Sequence, residues 1–169
     1  VKTVTSGQAN TCLLAEKFLK KNDKIFIHSC DSLIKFKSKE LDKNLDKFDA
    51  VILTTKPNKI HLKNIKSYGW VNYKNNQIIK ISCKSKASNN SKNDFVIIGS
   101  FAFKNKKTFL EFIKKLIKSK KKINNEYYLD MAFKVGLSNN YKIKNMKVES
   151  YSSWGTPKEL SMWKKKFKK

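Results

Sequence analysis

Apolar residues in this chain come in short dense blocks separated by stretches rich in lysine, asparagine and serine. Lys24 to Ser29, Asp49 to Thr54 and Phe95 to Phe103 are nearly continuous apolar runs, the pattern of strands buried on both faces of a parallel sheet. Gly99, inside the third run, predicts a bulge or a close approach by a ligand or by backbone. Tyr68 to Tyr73 and Gln77 to Cys83 flank Lys74-Asn75-Asn76, which reads as a hairpin turn. Helical spacing is clearest from Lys107 to Lys120, where Phe109, Phe112, Ile113, Leu116 and Ile117 form one apolar stripe. Gln8 to Lys21 has a similar spacing, with Thr5-Ser6-Gly7 offering turn and capping chemistry ahead of it. Residues 33–48 are polar and predict a short helix or turn around Lys39 to Leu45. Lys84 to Asp94 predicts a loop, Glu126 to Leu137 a helix and Tyr141 to Tyr151 an extended segment. Thr156-Pro157-Lys158-Glu159 predicts a helix start, with Thr as N-cap, Pro in the first turn and Glu at the capping-box position. Buried strands alternating with amphipathic helices predict one α/β domain over residues 1–169. Its form would be a three-layer α/β/α sandwich on a mixed, mostly parallel sheet.

Composition changes this picture little. A chain of 169 residues fits a single domain. No apolar run approaches the roughly 20 residues of a membrane span, and no basic leader precedes an apolar stretch, so neither membrane nor secretion is expected. The chain opens on Val1 rather than Met, and the expectation is that it begins inside a longer protein.

The net charge of +25 invites a nucleic-acid reading. All 38 basic residues are lysine, however, whereas phosphate and base-edge recognition favours the arginine fork. The lysines are dispersed, and Lys, Asn and Ile share A/T-rich codons, so compositional bias accounts for the charge. Lys118 to Lys122 and the tail from Lys164 to Lys169 then read as solvated faces or chain ends. Nucleic acid is not the expected partner, although a positive field would steer an anionic substrate. Cys12, Cys30 and Cys83 lack paired spacing, which argues against disulfides or zinc and fits a reduced cytoplasmic compartment. His28 and His61 read as structural.

Candidate chemistry begins at Asp31, directly after a buried run, where open α/β sheets bind ligands. A carboxylate there suits a hard cation that bridges phosphate oxygens. The surrounding motifs give this position a context. Thr5-Ser6-Gly7-Gln8-Ala9-x-Thr11 precedes a helix and a strand ending at Cys30-Asp31. Tyr68-Gly69-Trp70-Val71 is followed by Gln77 through Lys84 and by Ile97-Ile98-Gly99-Ser100-Phe101-Ala102-Phe103. Glu126-Tyr127-Tyr128-Leu129-Asp130 and Trp154-Gly155-Thr156-Pro157-Lys158-Glu159-Leu160 complete the series. In this order and spacing the chain resembles the sugar-phosphate nucleotidyltransferase family over nearly its whole length.

The resemblance implies a Rossmann-like nucleotidyltransferase fold, incomplete at its N-terminus. It implies an enzyme that joins a nucleoside triphosphate and a sugar 1-phosphate to give a nucleotide-sugar and pyrophosphate, in the manner of polysaccharide precursor synthesis. Carried over by position, Gly7 and Gln8 would meet the nucleobase and Asp31 would bind Mg²⁺. Gly69 would contact the sugar, Lys84 the sugar phosphate and Glu126 the sugar hydroxyls; Asp31 and Lys84 would be the catalytic pair. Homo-oligomerisation is left open.

Three departures stand against the pattern. The family's G-x-G-x-R loop, which wraps the triphosphate, has no counterpart, so the chain by itself is expected not to turn over. Ser153 stands where many relatives place a second metal-binding Asp, and Cys83 where relatives often have Glu. These motivate an alternative, a non-catalytic relative that binds a sugar nucleotide or a partner protein. A basic nucleic-acid-binding module is the third reading.

Overall fold

β6 (Phe95–Phe103) organises the molecule, because it is the longest strand and pairs with three others. The computed structural model describes residues 4–167; the last two residues of the basic tail, Lys168 and Lys169, lie outside the described residues. On one side β6 pairs with β3 (Ala50–Thr55), from Ala50↔Phe103 to Thr55↔Val96. Its other side is divided. β4 (Gly69–Lys74) takes Phe95 to Ile97, and β1 (Ile25–His28) takes Ser100 to Phe103. Gly99 lies at this fork with φ +71, and the register of β3 slips opposite it, between Leu53 and Thr54. The bulge expected at Gly99 is therefore present. A Cβ at position 99 would fall 2.9 Å from Ser29 Oγ, so the glycine lets the turn after β1 lie against β6.

β5 (Gln77–Ser82) and β7 (Ile143–Lys147) complete a six-stranded sheet in the order β5-β4-β6-β3-β7, with β1 beside β6. β2 (Ser32–Lys35) and β8 (Ser150–Ser153) form a separate antiparallel pair. The sheet is mixed, as expected, but β3 with β7 is its one parallel pairing and the others are antiparallel. The mostly parallel description is corrected on that point. Apolar continuity reports that both faces of a strand are covered, and here helices cover both faces of an antiparallel centre. Ala50 and Ile52 of β3 join a core with α4 (Lys106–Lys118) and α5 (Leu129–Ser138). Val51 and Leu53 join one with α2 (Ser38–Lys47). β1, expected to be buried on both faces, is covered on one: Ile25 joins the core with α4 and α5, while Phe26 on the opposite face is 43% exposed.

The hairpin between β4 and β5 turns on Asn75 and Asn76, both left-handed (φ 48 and 59), the geometry that a two-residue turn needs. α1 (Gln8–Leu13) is shorter than its periodicity suggested: Leu14 and Phe18 are exposed, so packing does not sustain the helix past one turn and a half. α5 starts at Leu129 rather than Glu126. Asn124 and Asn125 are left-handed and close a tight bridge from Ile123 to Glu126 ahead of it. α6 (Pro157–Phe167) begins with the predicted capping box: the Thr156 amide donates to Glu159 Oε2 at 3.0 Å and the Glu159 amide to Thr156 Oγ1 at 3.2 Å. No helix among the described residues is long and apolar enough to cross a membrane.

Candidate active site

Where β4 and β1 part company on the edge of β6, the chain leaves a cavity of about 670 Å³. Gln8 at the start of α1, Asp31 in the turn after β1, Gly69 at the start of β4 and Lys84 just past β5 all line it. Four segments far apart in sequence thus meet at one place. Gly7 and Glu126 are not on the wall. Gly7 (φ +100) lies against the backbone of Tyr127, where a Cβ would approach the amide nitrogen to 2.8 Å. Its need for glycine is met by contacts within the chain. Glu126 is exposed and bears on the wall through a hydrogen bond with Tyr128, which lines it. That bond, with burial, pushes the Tyr128 hydroxyl up to about 12.

Asp31 is exposed, and its carbonyl accepts the Trp154 amide at 2.9 Å, which fastens the β1 turn to the turn after β8. Its carboxylate fronts Gly155: a Cβ there would lie 2.5 Å from Asp31 Oδ2 and 3.7 Å from Ser153 Oγ. Carboxylate, hydroxyl and bare glycine therefore share one wall of the cavity. A single exposed carboxylate suits Mg²⁺, which commonly takes one or two protein carboxylates and fills the rest of its shell with other oxygens. Among the described residues no group of three His, Cys, Asp or Glu side chains is placed to hold a metal by itself.

Lys84 occupies a left-handed backbone conformation (φ 50), uncommon for a residue with a side chain, and its Nζ sits 4.9 Å from the centre of the Tyr128 ring. The loop that presents it is tied down from below. Fully buried Asp94 accepts Asn72 Nδ2 at 2.7 Å and Ser88 Oγ at 2.8 Å. Asp94→Ala leaves both donors unpaired in the interior and is expected to cost about 1–3 kcal/mol in a urea titration. A variant within about 0.5 kcal/mol of the parent would show that the loop does not depend on these bonds.

Asp130 is a site residue that the motif reading quoted but did not assign. It lines the cavity from the first turn of α5, buried, with Oδ1 accepting the Met131 amide at 2.9 Å. Placing the helix start at Glu126 hid it; with the start at Leu129, Asp130 is the acid facing the free amides of the first turn. Burial raises its carboxyl from the usual 3.8 to about 6, against the opposing effect of hydrogen bonds from Cys83 and the Met131 amide. Burial likewise drives the Cys83 thiol far up, so it stays neutral. Because the folded carboxyl keeps its proton to a higher pH than the unfolded one, its stabilising contribution is full below about pH 4 and lost as pH rises through about 6. Asp130→Asn is expected to raise stability at pH 7 by on the order of 3 kcal/mol and to flatten the fall between pH 4 and 6. Equal urea midpoints for variant and parent at pH 7 would contradict this.

Both histidines are held by hydrogen bonds within the fold. His28 Nδ1 meets Ser100 Oγ at 2.7 Å and its Nε2 the Ser32 carbonyl at 3.0 Å, while His61 Nδ1 accepts the Asn58 amide at 3.2 Å. The thiols of Cys12, Cys30 and Cys83 are free.

No protein-family model matches the chain, and no curated protein matches it by sequence. Its fold is that of solved nucleotidyltransferase structures. The nucleoside-diphosphate-sugar pyrophosphorylase from Vibrio cholerae RC9 superposes with TM-score 0.76 at 16% identity, over 96% of this chain and 66% of that one. A Bacillus anthracis protein assigned as a glucose-1-phosphate thymidylyltransferase gives 0.67 at 18%, over 95% and 61%. The inositol-1-phosphate CTP transferase from T. maritima gives 0.62 at 19%, over 95% and 60%. The present chain thus spans about two thirds or less of the length of each.

Proposed function

We propose that this chain forms part of a nucleotidyltransferase that transfers a nucleotide from a nucleoside triphosphate to a sugar 1-phosphate and releases pyrophosphate. The observation that supports it most is the gathering of Gln8, Asp31, Gly69 and Lys84 around one cavity, at the fork between β1 and β4. In the reaction, an oxygen of the sugar phosphate attacks the α-phosphorus, a new P–O bond forms, and the bond to the β-phosphate breaks with its electrons leaving on pyrophosphate. Two anions have to meet, so positive charge held beside them lowers the barrier without any covalent protein intermediate. Lys84, fixed over Tyr128, would pair the acceptor phosphate. Gln8 would meet the base, and Gly69 would contact the sugar. Asp31, with the Ser153 hydroxyl beside it, would hold Mg²⁺, which when bound neutralises phosphate charge. Glu126 would act indirectly, by fixing Tyr128. A reduced, cytoplasmic setting is part of this reading, in keeping with the three free thiols.

The test is pyrophosphate release by a polypeptide that joins this domain to a triphosphate-binding loop, across a panel of triphosphates and sugar 1-phosphates with Mg²⁺. Release with at least one pair supports the reading; none with any pair ends it. A non-catalytic sugar-nucleotide binder is the second reading, favoured by Ser153 beside the lone carboxylate of Asp31 and by the neutral thiol of Cys83. It predicts tight binding of a sugar nucleotide that Asp31→Ala leaves unchanged.

A further inference from the structure

The steps above leave Asp130 without a part, yet it is the acid built most deeply into the cavity. It is 8% exposed, and its two oxygens have different surroundings. Oδ1 accepts the Met131 amide at 2.9 Å. Oδ2 faces the bare α-carbon of Gly69 so closely that a Cβ there would overlap it. The other polar groups facing this carboxylate are the Cys83 thiol and Lys84 from the end of β5, and Tyr128 from the segment ahead of α5; Lys134, farther along α5, acts on Cys83.

We propose that Asp130 recognises the hydroxyl-bearing part of the phosphorylated acceptor, Oδ2 accepting hydrogen bonds from its hydroxyls while Lys84 pairs its phosphate. This rests on the reading that the cavity takes a sugar phosphate. An ionised carboxylate is an acceptor only, and one placed inside a protein with lone pairs unmet is costly until donors reach it. The neutral Cys83 thiol is a weak donor and does not fill that capacity. A ligand hydroxyl does. Lys84 lines the same cavity, which sets the polarity of the guest: anionic at one end, donor-rich at the other. Gly69, having no side chain, makes room for this carboxylate at the cavity wall. A site that hydrogen-bonds a hydroxyl discriminates strongly against an analogue lacking it, because its own buried acceptor is then left unpaired.

Calorimetric titration of the chain with three phosphate monoesters tests this: glucose 1-phosphate, inositol 1-phosphate, and methyl phosphate, which has no hydroxyl. At pH 7 the unaltered chain is expected to prefer the better polyol ester over methyl phosphate by about tenfold or more, and Asp130→Asn to reduce that preference to about twofold or less. In the unaltered chain the preference should also fade as pH falls through about 6, where the Asp130 carboxyl takes up its proton. This second measurement needs no variant. Equal weakening of all three ligands by Asp130→Asn, or an unchanged preference, overturns the proposal while the broader reading stands. Failure of the unaltered chain to bind any of the three overturns both.

Discussion

Replacement of Phe103 by alanine is expected to lower the unfolding free energy by about 3–5 kcal/mol, read as a shift in urea midpoint at constant slope. Phe103 is wholly buried at the end of β6, where it pairs with Ile25 of β1 on one side and Ala50 of β3 on the other. Its ring meets Phe109 and Phe112 edge-on, each at 5.4 Å between centroids, and Phe133 tilted at 5.1 Å. Three of the four rings come from α4 and α5, so the residue joins the helical layer to the sheet at the point where β1 attaches. Truncation removes aromatic area and leaves a hole bounded by a strand pair and two helices, which cannot collapse freely. A loss below about 1.5 kcal/mol would mean that the rings repack and that β1 is not anchored through this cluster.

Asp31→Asn is expected to reduce pyrophosphate release about 10²–10³-fold in a polypeptide that carries this domain with a triphosphate-binding loop. The substitution keeps the shape and the backbone bond from Trp154 to the Asp31 carbonyl, so the turn itself should survive. A readout independent of turnover accompanies it. Mn²⁺ should broaden the amide signals of Asp31 and Gly155 in the unaltered chain and not in the variant. Retained turnover, or broadening that persists, would remove Asp31 from its assigned role.

Sequence was most informative where burial is periodic and local. The β4–β5 hairpin, the nine residues of β6 and the cap of α6 follow from side-chain types a few positions apart. The bulge at Gly99 was legible for the same reason. Strand direction was not, because the apolar runs of β3 and β6 would look alike in a parallel or an antiparallel sheet. β2 was missed because its partner, β8, lies more than a hundred residues away, and its alternating Ser-Leu-Ile-Lys carries little apolar signal.

The candidate site divides along the same line. Gln8, Asp31, Gly69 and Lys84 line the cavity. Gly7 and Glu126 are not on its wall; the segment from Ser6 to Ala9 spends backbone bonds on Tyr127, which holds Gly7 against that residue. Asp130 stayed hidden because two left-handed asparagines, Asn124 and Asn125, delay the helix that presents it. That delay depends on a turn whose conformation the residue types permit but do not demand.

The most direct check on the cavity as the ligand site is an amide NMR titration of the chain with glucose 1-phosphate and Mg²⁺. Shifts concentrated at Gln8, Asp31, Gly69, Lys84 and Gly155 are the expected result. Shifts confined to the lysine-rich face of α4, with those five signals unmoved, would instead mark an unspecific response of a basic surface to an anion and would contradict the assignment of this cavity.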